Sequence, residues 1–446
     1  MQDLSKVIKA YDVRGVVPDE LDEQIVQAVG AAFARLAGND VVVVRDMRTS
    51  SPQFLEAFAR GVNGQGFDVI DAGLGSTDLV YFASGKLGLP GAMITASHNP
   101  AKYNGLKLCW PGAKPVGQDT GLGQIRHLIE EGVPDSHGPR GSVIARPLAD
   151  EYAAYLRQLV DLSGIRRLKV VADAGNGMGG HMAPIVFDGL PLDLTSMYFE
   201  LDGSFPNHEA NPLDPANLVD LQAKVKEVGA DIGLAFDGDA DRCFVVDENG
   251  EPVPPSAIVA LIATRELAKA PGSTIVYNVI TSRAVPEIVA EHGGTSERTR
   301  VGHVFMKGLM AETDAVFGGE HSGHYYFREF WRADTGMLAA LHVLAALGES
   351  EIPLSKLVAQ YTRYTASGEI NSEVADTDAM LRKVEQHFGA RPGVELDHMD
   401  GLTVILETGW FNLRPSNTEP LLRLNVEADD EATMSSLRDE VLALVR

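Results

Sequence analysis

Cysteine and positive charge are both scarce in this 446-residue chain. Only Cys109 and Cys243 occur, so no disulfide framework is indicated and a reducing compartment is expected. The chain has 38 Lys and Arg residues against 62 Asp and Glu residues, and its formal net charge is −24. This balance argues against a nucleic-acid or anionic-membrane partner. An anionic substrate would need a local cluster of cationic side chains.

Long apolar runs are also missing. No stretch approaches the length of a membrane span, and the N-terminal residues 1–6 lack the apolar core of a signal peptide. We therefore expect a cytoplasmic protein without a membrane partner. The sequence leaves open whether it is a monomer or a homodimer.

Up to about residue 360, short Val/Ile/Leu-rich runs alternate with helix-period stretches, which predicts α/β units with mixed, largely parallel sheets. The predicted strands are 41–45, 68–72, 92–95, 168–173, 232–236, 275–278 and 315–318. The predicted helices between them are 21–37, 53–62, 151–162, 218–228, 256–268 and 283–292.

Gly- and Pro-rich segments at 132–141 and 247–255 suggest two domain boundaries, and a change in the pattern of elements suggests a third near 361–368. We predict α/β domains at 1–143, 144–249 and 250–362 and an α+β domain at 363–446. The last domain should contain a helix at 378–388, strands at 402–407, 410–413 and 421–426, and a closing helix at 431–445.

Three carboxylates, Asp237, Asp239 and Asp241, alternate directly after the apolar strand 232–236. Carboxylates roughly 5 Å apart repel by about 3 kcal/mol per pair at an effective dielectric near 20. A cation is therefore expected among them, and hard oxygen ligands favour Mg²⁺, Mn²⁺ or Ca²⁺. An EF-hand is the main alternative, but Arg242 stands where the loop needs Gly and an apolar strand follows.

Ser97 lies in the turn 95–100 after the strand 92–95, beside His98. A hydroxyl in that position is a candidate nucleophile, although alone it is more typical of an ordinary turn. Lys107 lies ten residues beyond Ser97 and on its own would be a surface lysine.

Two further loops carry polar side chains. The segment 319–324 holds Glu320, His321, Ser322 and His324. A zinc site is an alternative, but two glycines disfavour the helical zincin pattern. A carboxylate beside a hydroxyl is better suited to binding sugar hydroxyls. The segment 414–420 offers one guanidinium, hydroxyls and an amide, which suits a phosphate group or a plain hairpin turn.

Residues 175–180 fit the dinucleotide-binding pattern G-x-G-x-x-G after the strand 168–173. Nothing else in the sequence suits hydride transfer, so we predict that these glycines serve tight strand–helix packing.

Taken together, the segments 95–100, 237–242, 319–324 and 414–420 resemble the α-D-phosphohexomutase family in order and spacing, and residues 11–15 resemble its opening motif. The resemblance covers the whole chain. It implies three similar α/β domains and a TATA-box-binding-like α+β domain around a central cleft.

The resemblance also implies a phosphoserine at Ser97 that exchanges phosphate with the 1 and 6 positions of a hexose phosphate through a hexose 1,6-bisphosphate. Mg²⁺ would be held by Asp237, Asp239, Asp241 and Ser97, with glucose or mannose 1,6-bisphosphate as activator. The charge-neutralising or proton-transferring residues would be Arg14, His98, Lys107, Arg242 and His303. The substrate-binding residues would be Tyr11, Glu320, Ser322, His324, Arg414, Ser416, Asn417 and Thr418.

Within the family, the sequence looks like bacterial phosphomannomutase/phosphoglucomutase, because Asn417 stands where phosphoglucosamine mutases and dedicated phosphoglucomutases typically carry Gly. Two departures are Ile280, near a position where some relatives carry Lys, and Val304, where Ser is common. Alternatives are another sugar preference within the family or a non-catalytic metal or sugar-phosphate binding protein.

Overall fold

A computed structural model describes residues 4–134, 136–416 and 421–446. The chain divides into two compact units. The first comprises Met1–Val253 and Ser322–Leu357, and the second comprises Pro254–His321 and Val358–Arg446.

The first sheet belongs to the first unit and has the strand order β1-β5-β4-β2-β3-β7, with β6 beside β5. Its strands are β1 Val13–Val16, β2 Val41–Arg45, β3 Val69–Leu74, β4 Gly91–Ile94, β5 Tyr103–Trp110, β6 Lys114–Pro115 and β7 Val143–Ala145. Its helices are α1 Glu23–Ala37, α2 Ser51–Gly64, α3 Thr77–Leu87 and α4 Leu122–Glu131. Strand β2 runs parallel to β3 and β4, whereas β5 is antiparallel to β1 and β4. The sheet is therefore mixed. Strand β5, which carries Lys107, runs antiparallel to β4.

The second sheet of this unit has the order β12-β11-β10-β8-β9. Its elements are α5 Ala149–Leu159, β8 Leu168–Asp173, α6 Gly179–Val186, β9 Leu192–Met197, α7 Val219–Val228, β10 Ile232–Phe236, β11 Cys243–Val246 and β12 Pro252–Val253. Strands β8, β9 and β10 are parallel. Strand β11 returns antiparallel to β10, so the acidic turn between them stands at the carboxyl end of β10.

The second unit begins with α8 Pro255–Lys269, β13 Thr274–Asn278, α9 Ala284–Glu291, β14 Thr295–Thr299, α10 His303–Thr313 and β15 Phe317–Gly319. Strand β13 runs parallel to both β14 and β15. The chain then returns to the first unit with β16 Tyr325–Phe327, β17 Ala333–Asp334 and the apolar helix α11 Gly336–Gly348. A short helix, α12 Leu354–Val358, follows.

The C-terminal part of the second unit is an antiparallel sheet of order β18-β22-β21-β20-β19. Its elements are β18 Thr365–Glu373, α13 Thr377–Gly389, β19 Glu395–Asp397, β20 Leu402–Leu406, β21 Gly409–Pro415, β22 Leu421–Ala428 and α14 Glu431–Val445. One sheet face packs against the two helices in a core that includes Phe388, Phe411 and Val441. The other face carries polar side chains.

The predicted fold class is confirmed. Strands β2, β8 and β10 and helix α14 begin and end at the predicted residues, and most other predicted elements differ by one to three residues at an end. Strand β5 was not predicted, because Asn104, Gly105 and Lys107 interrupt its hydrophobic pattern. Among the described residues, no helix is both long enough and apolar enough to cross a membrane.

Candidate active site

Ser97 lies in the first unit, in the loop that follows β4, and is 2% exposed. Its φ of 51° places the backbone in the left-handed region, which is costly for a residue other than Gly and tends to persist where surrounding contacts enforce it. The Ser97 amide donates to the Thr95 hydroxyl oxygen at 2.9 Å. The turn therefore fixes the direction of the Ser97 side chain.

Arg48 is the main enforcing contact, and sequence reasoning missed it. This residue is 1% exposed, and its guanidinium donates to the carbonyl oxygens of Ser97 at 2.8 Å, Asn99 at 2.6 Å, Pro100 at 3.0 Å and Tyr103 at 2.9 Å. Asp46, also buried, lies 3.3 Å from the Arg48 Nε. No sequence motif signals this role, because a buried arginine that binds backbone carbonyls has no local pattern.

The three predicted metal ligands lie together in the turn between β10 and β11. Asp237, Asp239 and Asp241 are at most 1% exposed, and one oxygen from each lies within 4.8 Å of the others. The Ser97 hydroxyl donates to Asp237 Oδ2 at 3.0 Å. The predicted nucleophile and the predicted metal loop therefore meet in the same unit.

Lys107 lies against the same carboxylates and is not an ordinary surface lysine. Its Nζ is 2.7 Å from Asp239 Oδ2 and 2.6 Å from Asp241 Oδ2. Burial alone would lower the pKa of Lys107, but Asp239 and Asp241 outweigh it and raise that pKa above its usual value. Burial would likewise raise the pKa of Asp239, but Lys107 and the Thr77 hydroxyl, at 2.5 Å, bring it below its usual range. Lys107 therefore remains an ammonium ion.

The donor set fits a hard divalent cation such as Mg²⁺. Asp239 Oδ1 and Asp241 Oδ1 are buried and make no hydrogen bond within the described residues, because Lys107 binds the Oδ2 atoms. Buried carboxylate oxygens without donors are costly unless a cation pairs with them. Burial, followed by the charges of Asp241 and Asp239, also raises the pKa of Asp237 well above its usual value.

Arg242 and His98 border the acidic loop. The Arg242 NH2 group donates to His98 Nδ1 at 3.0 Å, and the Arg242 amide donates to Asp237 Oδ1 at 3.2 Å. Burial lowers the pKa of His98 well below its usual value, and the charges of Arg242 and Arg14 lower it further. His98 is therefore neutral at pH 7, and Arg242 supplies the positive charge.

Arg14 lies on β1 and hydrogen-bonds the Asn99 side chain in the Ser97 loop and the Asp12 carboxylate. Tyr11 precedes it in a turn closed by a hydrogen bond from the Lys9 amide to the Asp12 carbonyl. Because β1 pairs with β5, the opening motif lies beside the strand that carries Lys107.

The structure disagrees with two alternative interpretations: an EF-hand at the acidic turn and a dinucleotide-binding motif at residues 175–180. The acidic turn joins two antiparallel strands, whereas an EF-hand loop joins two helices. A Cβ atom at Gly177 would lie 2.7 Å from the Gly238 carbonyl oxygen, and one at Gly180 would lie 2.3 Å from the Phe199 carbonyl oxygen. Gly177 thus allows close backbone packing against the metal loop, and Gly180 allows it against the segment that follows β9.

His324 also belongs to the first unit, and its backbone forms a bridge with Arg242. Its Nδ1 lies 2.9 Å from Asp334 Oδ2 and 3.8 Å from Asp241 Oδ1. Ser322 lies two residues earlier in the same turn. Sequence reasoning missed Asp334, which lies on β17, ten residues beyond its partner His324 in the sequence.

Glu320 lies in the second unit at the end of β15 and is 2% exposed. Its Oε1 accepts hydrogen bonds from Asn278 Nδ2 and the Gly302 amide, both at 3.0 Å. His303 follows Gly302 as the first residue of α10, and Val304 is the next residue of that helix. Asn278 was not predicted as a site residue; its Oδ1 also binds the Ile280 amide and the Thr281 hydroxyl.

In this loop, the His321 Nδ1 lies 2.9 Å from the Ser256 hydroxyl. His324 is grouped instead with Asp241 and Asp334, and one ligand atom from each of these three residues lies within 4.8 Å of the others. Burial lowers the pKa of His321. Ile280 is 7% exposed, and as an aliphatic side chain it presents no charge there.

Arg414 ends the polar face of β21 and is 7% exposed. Its guanidinium lies 2.9 Å from Glu369 Oε2. Ser416 follows, and its amide donates to the Leu421 carbonyl at 2.8 Å, which closes the base of the loop. Asn417 and Thr418, predicted to bind phosphate, lie outside the described residues.

Behind the metal loop, the carboxylate of Asp78 is completely buried. Its Oδ2 accepts hydrogen bonds from the Tyr152 hydroxyl at 2.5 Å and the Thr335 hydroxyl at 2.6 Å. Burial raises the pKa of Asp78 to about 7. Because the folded state holds the proton more tightly than the unfolded state, this group stabilises the fold below about pH 4, and that contribution is lost as the pH rises through 7.

We therefore expect the stability of the wild type, relative to Asp78→Asn, to fall by about 4 kcal/mol at most between pH 4 and pH 8. Urea unfolding at several pH values measures this difference. Asp231→Asn, which removes an Arg166 partner on the same unit, is the matched control for the loss of a carboxylate elsewhere in the unit. A constant difference for Asp78→Asn would contradict the prediction.

The chain matches four family models in order: the phosphoglucomutase/phosphomannomutase alpha/beta/alpha domains I at residues 5–133, II at 150–250 and III at 254–364, and the C-terminal domain at 369–444. The chain belongs to the phosphoglucomutase/phosphomannomutase family. It has the three α/β/α domains and the C-terminal domain of that family, and it is an isomerase that acts on hexose phosphates.

Individual members of this family are similar over nearly the whole chain. The phosphohexose mutases of Xanthomonas campestris pv. campestris are 40% identical over 438 residues, which is 98% of each sequence. The phosphomannomutase of Salmonella typhimurium is 39% identical over 444 residues, 97% of each sequence. The crystal structure of a phosphoglucomutase/phosphomannomutase family protein from Burkholderia thailandensis superposes with a TM-score of 0.91 at 32% identity, covering 100% of this chain and 97% of that one.

Proposed function

We propose that this enzyme interconverts mannose 1-phosphate and mannose 6-phosphate, and also the corresponding glucose phosphates, through a phosphoserine at Ser97 and a hexose 1,6-bisphosphate. The observation that carries the proposal is the contact between the Ser97 hydroxyl and Asp237 at 3.0 Å, inside a buried cluster of three carboxylates. The preference for mannose rests on relatives such as the Salmonella typhimurium phosphomannomutase.

In the first step, the bond between the phosphoserine phosphorus and Ser97 Oγ breaks while a bond forms to a hydroxyl oxygen of the sugar monophosphate. The sugar hydroxyl loses a proton and Ser97 Oγ gains one, so the charges balance. The second step is the reverse at the other phosphate of the bisphosphate, after that intermediate has reoriented.

The chain's own residues supply position and charge, which matter most in phosphoryl transfer. Asp237, Asp239 and Asp241 would hold Mg²⁺, which neutralises charge on the transferring phosphate when bound. Arg242 and Lys107 add fixed positive charge beside Ser97. Lys107 and His303 are the two candidates for moving the proton of the sugar hydroxyl.

In the second unit, Glu320 would accept hydrogen bonds from sugar hydroxyls, while Arg414, Ser416, Asn417 and Thr418 would hold the phosphate that does not react. Tyr11, Ser322 and His324 would contact the substrate from the first unit. We propose the domain ranges 1–143, 144–249, 250–362 and 363–446. In this order, the four domains carry the Ser97 loop, the metal loop, the loop 319–324 and the loop 414–420.

The test is to incubate the protein with Mg²⁺ and glucose 1,6-bisphosphate, add mannose 1-phosphate and follow mannose 6-phosphate. We expect turnover and a phosphorylated Ser97 by intact mass. Comparing kcat/KM for mannose, glucose and glucosamine phosphates then decides the sugar. Absence of turnover with an unphosphorylated Ser97 would leave a binding protein and overturn the proposal.

A further inference from the structure

Helix α3 begins against the metal loop 237–241, although the two elements belong to different sheets. Its first residue, Thr77, is fully buried, as is Asp239 in the loop. The first backbone amides of a helix have no partner within that helix. The Thr77 amide donates instead to the Asp239 carbonyl oxygen at 2.9 Å. A backbone hydrogen bond therefore joins the start of α3 to the metal loop, across 162 residues of sequence.

The Thr77 side chain binds the same aspartate. Its hydroxyl donates to Asp239 Oδ2 at 2.5 Å, and Lys107 Nζ lies 2.7 Å from that same oxygen. Asp239 Oδ1 is buried and accepts no hydrogen bond from the described residues. Two donors therefore occupy one oxygen of the carboxylate, and the other oxygen is the one that a cation can bind.

The first turn of α3 has anchors besides the Thr77 hydroxyl. Asp78 is fully buried, and its Oδ2 accepts hydrogen bonds from the Tyr152 hydroxyl at 2.5 Å and the Thr335 hydroxyl at 2.6 Å. These contacts and the Thr77 amide hold the backbone of the turn. Loss of the Thr77 hydroxyl should therefore change the orientation of the Asp239 carboxylate rather than the position of the helix.

Groups that hydrogen-bond a metal ligand orient it, and they affect metal affinity without contacting the metal. We propose that Thr77 is a positioning residue for the metal site: with Lys107, its hydroxyl holds Asp239 Oδ2 and leaves Oδ1 as the ligand atom. The inference rests on the proposed function, which assigns the three aspartates to Mg²⁺. Thr77 acts through Asp239 and is not itself a ligand.

Two substitutions separate the hydroxyl from the rest of the side chain. Thr77→Val removes the hydroxyl and keeps the branched shape, whereas Thr77→Ser keeps the hydroxyl. Loss of a partner that orients a metal ligand typically lowers metal affinity by about 10- to 100-fold. We expect Thr77→Val to bind Mn²⁺ at least about tenfold more weakly than the wild type, and Thr77→Ser to remain within about threefold of it. The Mg²⁺ concentration that gives half-maximal turnover should rise by the same factor in Thr77→Val.

The experiment measures Mn²⁺ binding to the metal-free, full-length protein by electron paramagnetic resonance. Intact mass verifies that all samples carry the same phosphorylation at Ser97. Thr403→Val is the matched control, because Thr403 is 2% exposed and its hydroxyl oxygen accepts a hydrogen bond from Asn412 in the C-terminal sheet. This control also removes a buried threonine hydroxyl, but one in the other unit, and it should bind Mn²⁺ as the wild type does.

Three results would overturn the inference: wild-type Mn²⁺ affinity in Thr77→Val, an equal loss in Thr77→Ser, or an equal loss in Thr403→Val. A merely structural role predicts the first of these, together with a lower urea midpoint. If Thr77→Val does not fold, Thr77→Ala removes the same hydroxyl and is judged by the same results.

The experiment also distinguishes this inference from the proposed function. If Mn²⁺ binding follows the expected pattern but no sugar phosphate is turned over, the proposed activity fails and the positioning role of Thr77 stands. If the wild type binds Mn²⁺ and turns over sugar phosphates while Thr77→Val matches it, only the positioning role fails. A wild type that binds no Mn²⁺ would overturn both.

Discussion

Ser97→Ala is expected to abolish phosphate transfer while leaving sugar-phosphate binding nearly unchanged. The substitution removes the hydroxyl oxygen that we propose carries the phosphate, and it removes little else, because the left-handed turn is held by Arg48 through backbone carbonyls and by Thr95 through the Ser97 amide. We expect kcat to fall at least about 10⁴-fold, the loss typical when a nucleophile is deleted.

The measurements are turnover with glucose 1,6-bisphosphate, intact mass and calorimetric binding of mannose 6-phosphate. Ser142→Ala, which removes an exposed hydroxyl bound to Asp68 in the same domain, serves as the matched control and should retain wild-type rates. A near-normal rate for Ser97→Ala would show that the nucleophile lies elsewhere. A lost rate together with lost binding would instead point to a collapsed loop.

Asp239→Asn is expected to have the second-largest effect. Asp239 has one buried oxygen without a hydrogen bond, and its other oxygen binds Lys107 and Thr77. The substitution therefore removes a proposed metal ligand and the negative charge that pairs with Lys107. We expect about 10³-fold lower kcat, equivalent to about 4 kcal/mol of lost transition-state stabilisation. The affinity for divalent cations should also fall at least about tenfold, as for the loss of one charged ligand.

Mn²⁺ binding followed by electron paramagnetic resonance reports metal affinity without relying on activity. Asp231→Asn again provides the control, since it removes a carboxylate that pairs with Arg166 rather than with the metal loop. If Asp239→Asn bound Mn²⁺ as tightly as wild type and kept its rate, the assignment of the acidic turn as the metal site would be wrong.

The sequence predicted the fold class because β2, β8 and β10 are short apolar runs bounded by turns, and such strands are recognisable locally. Strand β5 was not predicted because Lys107, which contacts Asp239 and Asp241, and Asn104, which binds Ser50 and Ser51, interrupt its hydrophobic pattern. The acidic turn was recognisable for the opposite reason: three alternating aspartates after a buried strand are electrostatically untenable without a cation.

The sequence by itself singled out the residues that we propose carry the chemistry: Ser97, the three aspartates, Glu320 and Arg414 lie in short segments, and the joint resemblance of those segments to the family implies their roles. Tertiary structure alone decided which groups support them. Arg48 lies 49 residues from Ser97, Lys107 lies 132 residues from Asp239, and Glu369 lies 45 residues from Arg414. Burial makes these long-range contacts decisive, because a charge removed from water must be paired wherever the fold places its partner. A pattern confined to neighbouring residues carries no trace of such pairing.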